Sequence, residues 1–272
     1  MIKPGEIQKV ANRLGIRDTQ IEKDYVIGWI LKGISNIEFL KGRLLFKGGT
    51  ALRKIYFSEY RLSEDLDFTY NGEDYEAEVI KKYFEELIEW EKKEVRISLN
   101  IQDEQEHKMG NYNFYLSYTG PLGWVGANKS IKVDITNDEK ICNDPVELSV
   151  YNEYSDLSEE FTILSYTLEE IIAEKMRSLM QRTMPRDLYD IWYMFEKENK
   201  DVEDYIFDFQ EKTKFKQLDP NQFTQTILGK ESTFKKQWET SLSQQIKDVP
   251  DFSDVWRTLG KHWKKFDKIN SE

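Results

Sequence analysis

The chain has 272 residues, 33% of them charged, and 39 Lys and Arg stand against 50 Asp and Glu for a formal net charge of -11. That length supports one large domain or two modest ones, and the acidic balance argues against a protein that coats nucleic acid through a general basic surface. A single cysteine and two histidines exclude a disulfide framework and disfavour zinc sites and histidine catalysis, and without an apolar signal segment or membrane-length apolar run the chain reads as cytoplasmic, with no membrane partner.

In chain order, helices are predicted near 5–14 and 19–34. The apolar run Arg43-Leu44-Leu45-Phe46 predicts a buried strand over 43–47 that stops at Gly48-Gly49, and a helical pattern follows over 50–57. The two glycines permit a sharp turn and Thr50 suits an N-cap. The open amides and dipole of such a helix start favour an anion such as a triphosphate. In the strand expected at 64–70, Leu66 and Phe68 alternate with Asp65 and Asp67, which puts both carboxylates on one face about 7 Å apart. Two oxygen ligands so placed suit Mg2+ (or Mn2+), a hard ion that takes substrate phosphates as further ligands. Ser63, just ahead of them, is a candidate turn-forming or ligand-orienting hydroxyl.

A long amphipathic helix is predicted over 73–93, with Val79, Tyr83, Phe84, Leu87 and Trp90 on its apolar side. Strands are predicted near 94–103, 111–119, 129–136, 146–151 and 161–164. Within Ser130–Thr136, Ile131, Val133 and Ile135 face one way and Lys132, Asp134 and Thr136 the other. Asp134 is therefore the candidate third carboxylate of a two-metal site. Helices are predicted at 167–182, 186–198, 202–215, 220–228, 231–246 and 252–267, with Pro185, Pro220 and Pro250 at breaks.

The organisation expected is an α/β lobe over 1–165 and a helical lobe over 166–272 that completes an active cleft. Lys175 falls near the border of a packed side marked by Ile171, Ile172, Met176 and Leu179. Its helix offers only the poorly spaced Glu170 and Glu174 as partners. Asp187 suits a helix start on dipole grounds alone. Basic residues cluster at Lys175, Arg177, Arg182 and Arg186 and again at Lys261, Lys264, Lys265 and Lys268, where a solvated helix face or phosphate contact would serve.

These residues together resemble the AbiEii/AbiGii toxin family of nucleotidyltransferases, the group that includes abortive-infection and MenT toxins. The resemblance is carried by Ile21-Glu22-Lys23-Asp24-Tyr25, the Gly-Gly-Thr turn, Arg61-Leu62-Ser63-Glu64-Asp65-Leu66-Asp67, Lys132-Val133-Asp134-Ile135, Glu174-Lys175 and Arg186-Asp187-Leu188-Tyr189-Asp190. It implies an α+β fold with a polymerase-β-like mixed sheet, flanking helices and a C-terminal helical lobe. The spacing from Thr50 to Asp65 is longer than is usual in the wider superfamily and more typical of this toxin branch.

The resemblance further implies transfer of a nucleotide from an NTP to an acceptor hydroxyl such as an RNA or tRNA 3′ end, with a separate antitoxin as partner. Asp65, Asp67 and Asp134 would hold metal, and Gly48, Gly49, Thr50 and Ser63 would meet the nucleotide. Lys175 would neutralise phosphate, Asp187 would position the lysine or a substrate hydroxyl with Asp190 in support, and Arg186, or else Arg182 or Arg61, would hold phosphate. A noncatalytic nucleotide-binding or protein-interaction module is the main alternative. A two-metal nuclease or a glycosyltransferase would share the aspartates but not explain the glycine turn.

Overall fold

The computed structural model describes residues 1–107, 110–123 and 129–270. By its contacts the chain divides into two units, Met1–Asp138 with Pro145–Tyr166, and Glu139–Asp144 with Thr167–Glu272.

The first unit runs α1 (Pro4–Leu14), α2 (Asp18–Asn36), α3 (Glu38–Arg43), β1 (Leu44–Lys47), α4 (Gly48–Ala51), β2 (Leu66–Tyr70), α5 (Ala77–Glu94), β3 (Ser98–His107), β4 (Asn111–Thr119), β5 (Ser130–Thr136), β6 (Val146–Ser149) and β7 (Thr162–Ser165). Among the described residues seven strands join one sheet in the order β3-β4-β5-β2-β1-β7-β6. The pairs β2/β5 and β1/β7 are parallel and the other neighbours antiparallel. A mixed sheet of this kind needs helical cover. Helix α2 supplies part of it and is buried almost all round, from Ile21 to Ile34, as expected of an interior helix.

Sequence periodicity and structure agree closely over β4 and β5, whose residues alternate between buried and half-exposed. Two starts differ. Helix α5 begins at Ala77 rather than near 73, because Asp74 is engaged in the preceding turn by Arg43 at 3.1 Å and by the Tyr70 hydroxyl at 3.2 Å. The helix after the glycines begins at Gly48, with Lys47 as its N-cap, and continues from Leu52 to Tyr56 as a π-helical turn closed by the Phe57 N–H on the Leu52 carbonyl at 2.8 Å. Thr50 is therefore inside the helix and is not its cap.

One core residue stands out for stability. Glu91 of α5 is fully buried, and neither of its carboxylate oxygens has a hydrogen-bond partner among the described residues. Burial pushes its pKa well above the ordinary 4.5. The folded state then holds a proton that the unfolded state releases, so stability falls as pH rises from about 4.5 towards the raised value. Denaturation of Glu91→Leu across that range should show a flatter pH profile and, near pH 8, a gain of about 1–3 kcal/mol over the wild type.

The second unit holds α6 (Leu168–Gln181), α7 (Pro185–Glu196), a 3-10 turn leading into α8 (Ile206–Phe215), a second leading into α9 (Phe223–Leu228), α10 (Glu231–Leu242) and α11 (Phe252–Asn270). Its core is aromatic. Phe209, Phe223, Trp263 and Phe266 pack with ring centroids 4.8–5.3 Å apart, which adds directional preference to burial. The segment Glu139–Asp144 belongs here because fully buried Glu170 accepts from the Cys142 and Asn143 backbone N–H groups at 3.0 and 2.8 Å. Lys212 pairs with Glu170 and donates to the Lys140 carbonyl at 2.6 Å. No helix among the described residues is long and apolar enough to cross a membrane.

Candidate active site

The first unit builds a site at the carboxyl end of β1. Gly48 has φ +79°, a left-handed conformation that L side chains rarely adopt, and a Cβ added there would collide with the Asp67 carboxylate. The Asp67 side chain thus lies directly over the turn, where the helix dipole also favours negative charge. A Cβ on Gly49 would lie 2.6 Å from Arg61 Nη2 and 3.1 Å from Ser63 Oγ. The sequence-predicted residues Gly48, Gly49, Ser63 and Asp67, with Arg61, are therefore brought together. Gly48→Ala should lose at least about 1–2 kcal/mol of stability in urea unfolding, the cost of a left-handed L residue, before any cost of displacing Asp67.

Thr50 takes a different part from the one its sequence position predicts. It is 2% exposed, and its hydroxyl donates to the Asp65 carbonyl. It fastens the entry of β2 to the helix, so its side chain is not turned to an incoming phosphate.

Strand register settles the relation of the acids. Asp67 is the direct partner of Asp134 across the parallel β2/β5 pair, and of Lys47 across the antiparallel β1/β2 pair. Direct partners share a face. Asp65 precedes β2 by one residue, two positions before Asp67. The Lys132 ammonium donates to Asp134 at 2.6 Å. Burial works against that charge, but Asp134 and then Asp65 outweigh it and hold the Lys132 pKa above its ordinary value.

A positive group thus already meets Asp134, and a metal ion there would have to displace the Lys132 ammonium. Among the described residues no group of three or more His, Cys, Asp or Glu side chains is placed to hold a metal ion. An ion held by Asp67 and Asp134 would have to draw its remaining ligands from water and phosphate, as Mg2+ commonly does. Lys132 was visible in sequence only as sharing a face with Asp134, and its alternation with that acid was the signal for it.

The second unit has its own charged cluster. Lys175 donates to Asp187 at 2.7 Å and lies 2.9 Å from Asp190. Arg182 grips Asp187 with two nitrogens, at 2.7 and 3.2 Å. Burial would raise the Asp187 pKa, yet Lys175 and Arg182 outweigh it and hold that carboxyl below its ordinary value. The partners missing from the lysine's own helix come from the next one, α7. Lys230 caps the end of α6, donating to the Leu179, Met180 and Arg182 carbonyls at 2.6, 2.9 and 3.1 Å.

Arg186 is half-buried and enters no ion pair among the described residues. Arg182, by contrast, spends its guanidinium on the Asp187 carboxylate. Of the terminal lysines, Lys265 is taken up by Asp201 at 2.5 Å and Glu203 at 3.3 Å.

A mixed sheet with acids on adjacent parallel strands and a glycine turn pressed against one of them is the architecture of a nucleotidyltransferase. The family model described as nucleotidyl transferase AbiEii toxin, Type IV TA system, matches residues 29–268. The chain belongs to that family. Solved structures agree in fold. MenT4, a nucleotidyltransferase toxin from Mycobacterium tuberculosis H37Rv, superposes with a TM-score of 0.54 at 19% identity, covering 75% of this chain and 77% of its own. JHP933 from Helicobacter pylori gives a TM-score of 0.59 at 15% identity, covering 93% and 94%. No curated protein matches the sequence significantly.

Proposed function

We propose that the chain is a metal-dependent toxin that transfers a nucleoside monophosphate from an NTP to an acceptor hydroxyl, an RNA end such as the 3′ end of tRNA. The observation that carries this reading is the in-register pairing of Asp67 with Asp134 beside Gly48. Asp65, Asp67 and Asp134 would hold Mg2+ or Mn2+, which when bound supplies Lewis-acid stabilisation of phosphoryl oxygens.

The chain's own groups do the rest. The amides of Gly48 and Gly49 open a helix and suit phosphate oxygens. Ser63, packed over Gly49, orients them. Asp134 accepts the proton of the acceptor hydroxyl, the hydroxyl oxygen bonds to the α-phosphorus, and the bond to the β-phosphate breaks to release pyrophosphate. Alignment and charge stabilisation supply most of the rate. Lys175 is assigned the charge that meets phosphate, with Asp187 and Asp190 fixing its ammonium. Arg186, turned to no described acid, remains assigned to phosphate.

A separate antitoxin is proposed as partner, in keeping with the family's toxin-antitoxin description. With a net charge of -11, RNA must be met by a local basic face.

The second reading, a noncatalytic nucleotide-binding module, has one observation on its side: the Lys132 ammonium already neutralises Asp134. Incubation with each α-labelled NTP, Mg2+ and total RNA separates the two. Label on RNA with the wild type, and none with Asp65→Ala, supports transfer and identifies the base. Nucleotide binding without turnover supports the module, and RNA shortening without label supports a nuclease.

A further inference from the structure

Helix α2 carries three consecutive charged residues, Glu22, Lys23 and Asp24, none of which belongs to the acid site. Successive helical positions turn by about 100°, so the three side chains leave the helix over an arc of about 200°. Each ends on a different stretch of the chain that bears the site.

Glu22 is fully buried. It accepts the Leu122 N–H at 2.8 Å and touches the Lys129 ammonium at 2.6 Å, without the alignment of a hydrogen bond in the second contact. Lys129 immediately precedes β5, the strand of Asp134. Lys23 donates to Glu64 at 2.8 Å, the residue next to Asp65. Asp24 is 3% exposed, accepts from Lys54 at 2.7 Å and from the Tyr154 hydroxyl at 2.8 Å, and lies 3.4 Å from Arg53.

Arg53 and Lys54 form part of the π-helical turn that continues the Gly48 helix. Arg53 goes on to the Ser58 and Tyr60 carbonyls at 2.9 and 2.7 Å, holding the loop that leads to Arg61 and Ser63. Buried charges are a poor way to stabilise a core, and a helix that only packed would do as well with apolar residues at these positions.

We propose that Glu22, Lys23 and Asp24 are positioning residues: one stretch of α2 fixes the Asp134 strand, Asp65 and the Gly48 turn relative to one another, and thereby sets the affinity of the acid site for a divalent cation with a triphosphate. The proposal rests on the reading of Asp65, Asp67 and Asp134 given above.

The test titrates Mn2+ into the full chain with a non-hydrolysable triphosphate analogue, reading free Mn2+ by electron paramagnetic resonance, with thermal melting in parallel. The proteins are wild type, Glu22→Gln, Lys23→Met, Asp24→Asn and the exchange Lys23→Glu with Glu64→Lys. Groups that orient metal ligands typically change affinity by tenfold or more, so each single variant should weaken Mn2+ binding about tenfold. The exchange should restore it.

Lys23→Met decides the matter if the buried variants fail to fold, because the Lys23 and Glu64 side chains are 15% and 27% exposed and their loss is compatible with folding. Wild-type Mn2+ affinity in Lys23→Met, or no recovery in the exchange, overturns the proposal. A wild type that binds no Mn2+ with the analogue overturns the reading of the acid site itself, and this proposal with it.

Discussion

Asp67→Asn should abolish nucleotide transfer, by about 10³-fold or more, while leaving the fold as stable as before. The loss follows from the place of Asp67, which faces Asp134 across one strand pair, faces Lys47 across the other, and lies over Gly48. It is the acid that joins the turn to the sheet. Stability responds differently, because the substitution removes attraction to Lys47 together with repulsion from Asp134. Cross-strand charge pairs contribute roughly 0.2–1 kcal/mol, so the two changes nearly offset. Transfer assays beside urea denaturation check both halves. A variant that keeps substantial activity, or that loses activity only because it unfolds, contradicts the account.

Lys175→Met should do the reverse and strike stability first. Asp187 and Asp190 are 2% and 1% exposed, and loss of Lys175 takes a cation from both, with Arg182 still on Asp187. Removing one partner of a buried charge cluster costs about 3–5 kcal/mol. The pH dependence should weaken as well. In the wild type the lowered Asp187 pKa gives stability that is present above the ordinary 3.8 and is lost as pH falls through the folded value. In the variant Asp187 loses one of the two cations that lower its folded pKa, so that acid-labile contribution shrinks.

Loss of transfer in Lys175→Met alone therefore says nothing about phosphate. The double variant Lys175→Met with Asp190→Asn restores the balance of charge. If it recovers the urea midpoint and still fails to transfer nucleotide, Lys175 acts on substrate. If it recovers both, Lys175 is structural.

Much of the first unit's plan can be read from the chain because it is written locally. The strand stop at Gly48-Gly49, the alternation of Asp65 and Asp67 with Leu66 and Phe68, and the alternation through Ser130–Thr136 all depend on residues within a few positions of one another. Alternation can show that Asp134 faces away from the core, but only long-range register shows that it faces Asp67.

Other features depend on distant partners and leave no local trace. The segment Glu139–Asp144 reads as part of the first lobe until Glu170, 28 residues from Cys142, is seen to hold its amides. Thr50 reads as a cap, by residue type, yet the left-handed Gly48 starts the helix earlier and leaves Thr50 to meet the Asp65 carbonyl. Lys175 lacks a good partner at helical spacing because its partners lie 12 and 15 positions on, in α7. The charged run in α2 stands out in the chain only through the family resemblance, and the fold shows Glu22 and Asp24 turned inwards.

Diffraction from crystals grown with Mn2+ and a non-hydrolysable NTP analogue, with the metal located by its anomalous signal, tests the central claim most directly. The account predicts Mn2+ within about 2.0–2.2 Å of carboxylate oxygens from Asp67 and Asp134, close to the octahedral distances of Mg2+, with triphosphate oxygens on the Gly48 and Gly49 amides. Mn2+ bound away from these acids, or a triphosphate seated elsewhere with Lys132 still on Asp134, would contradict it.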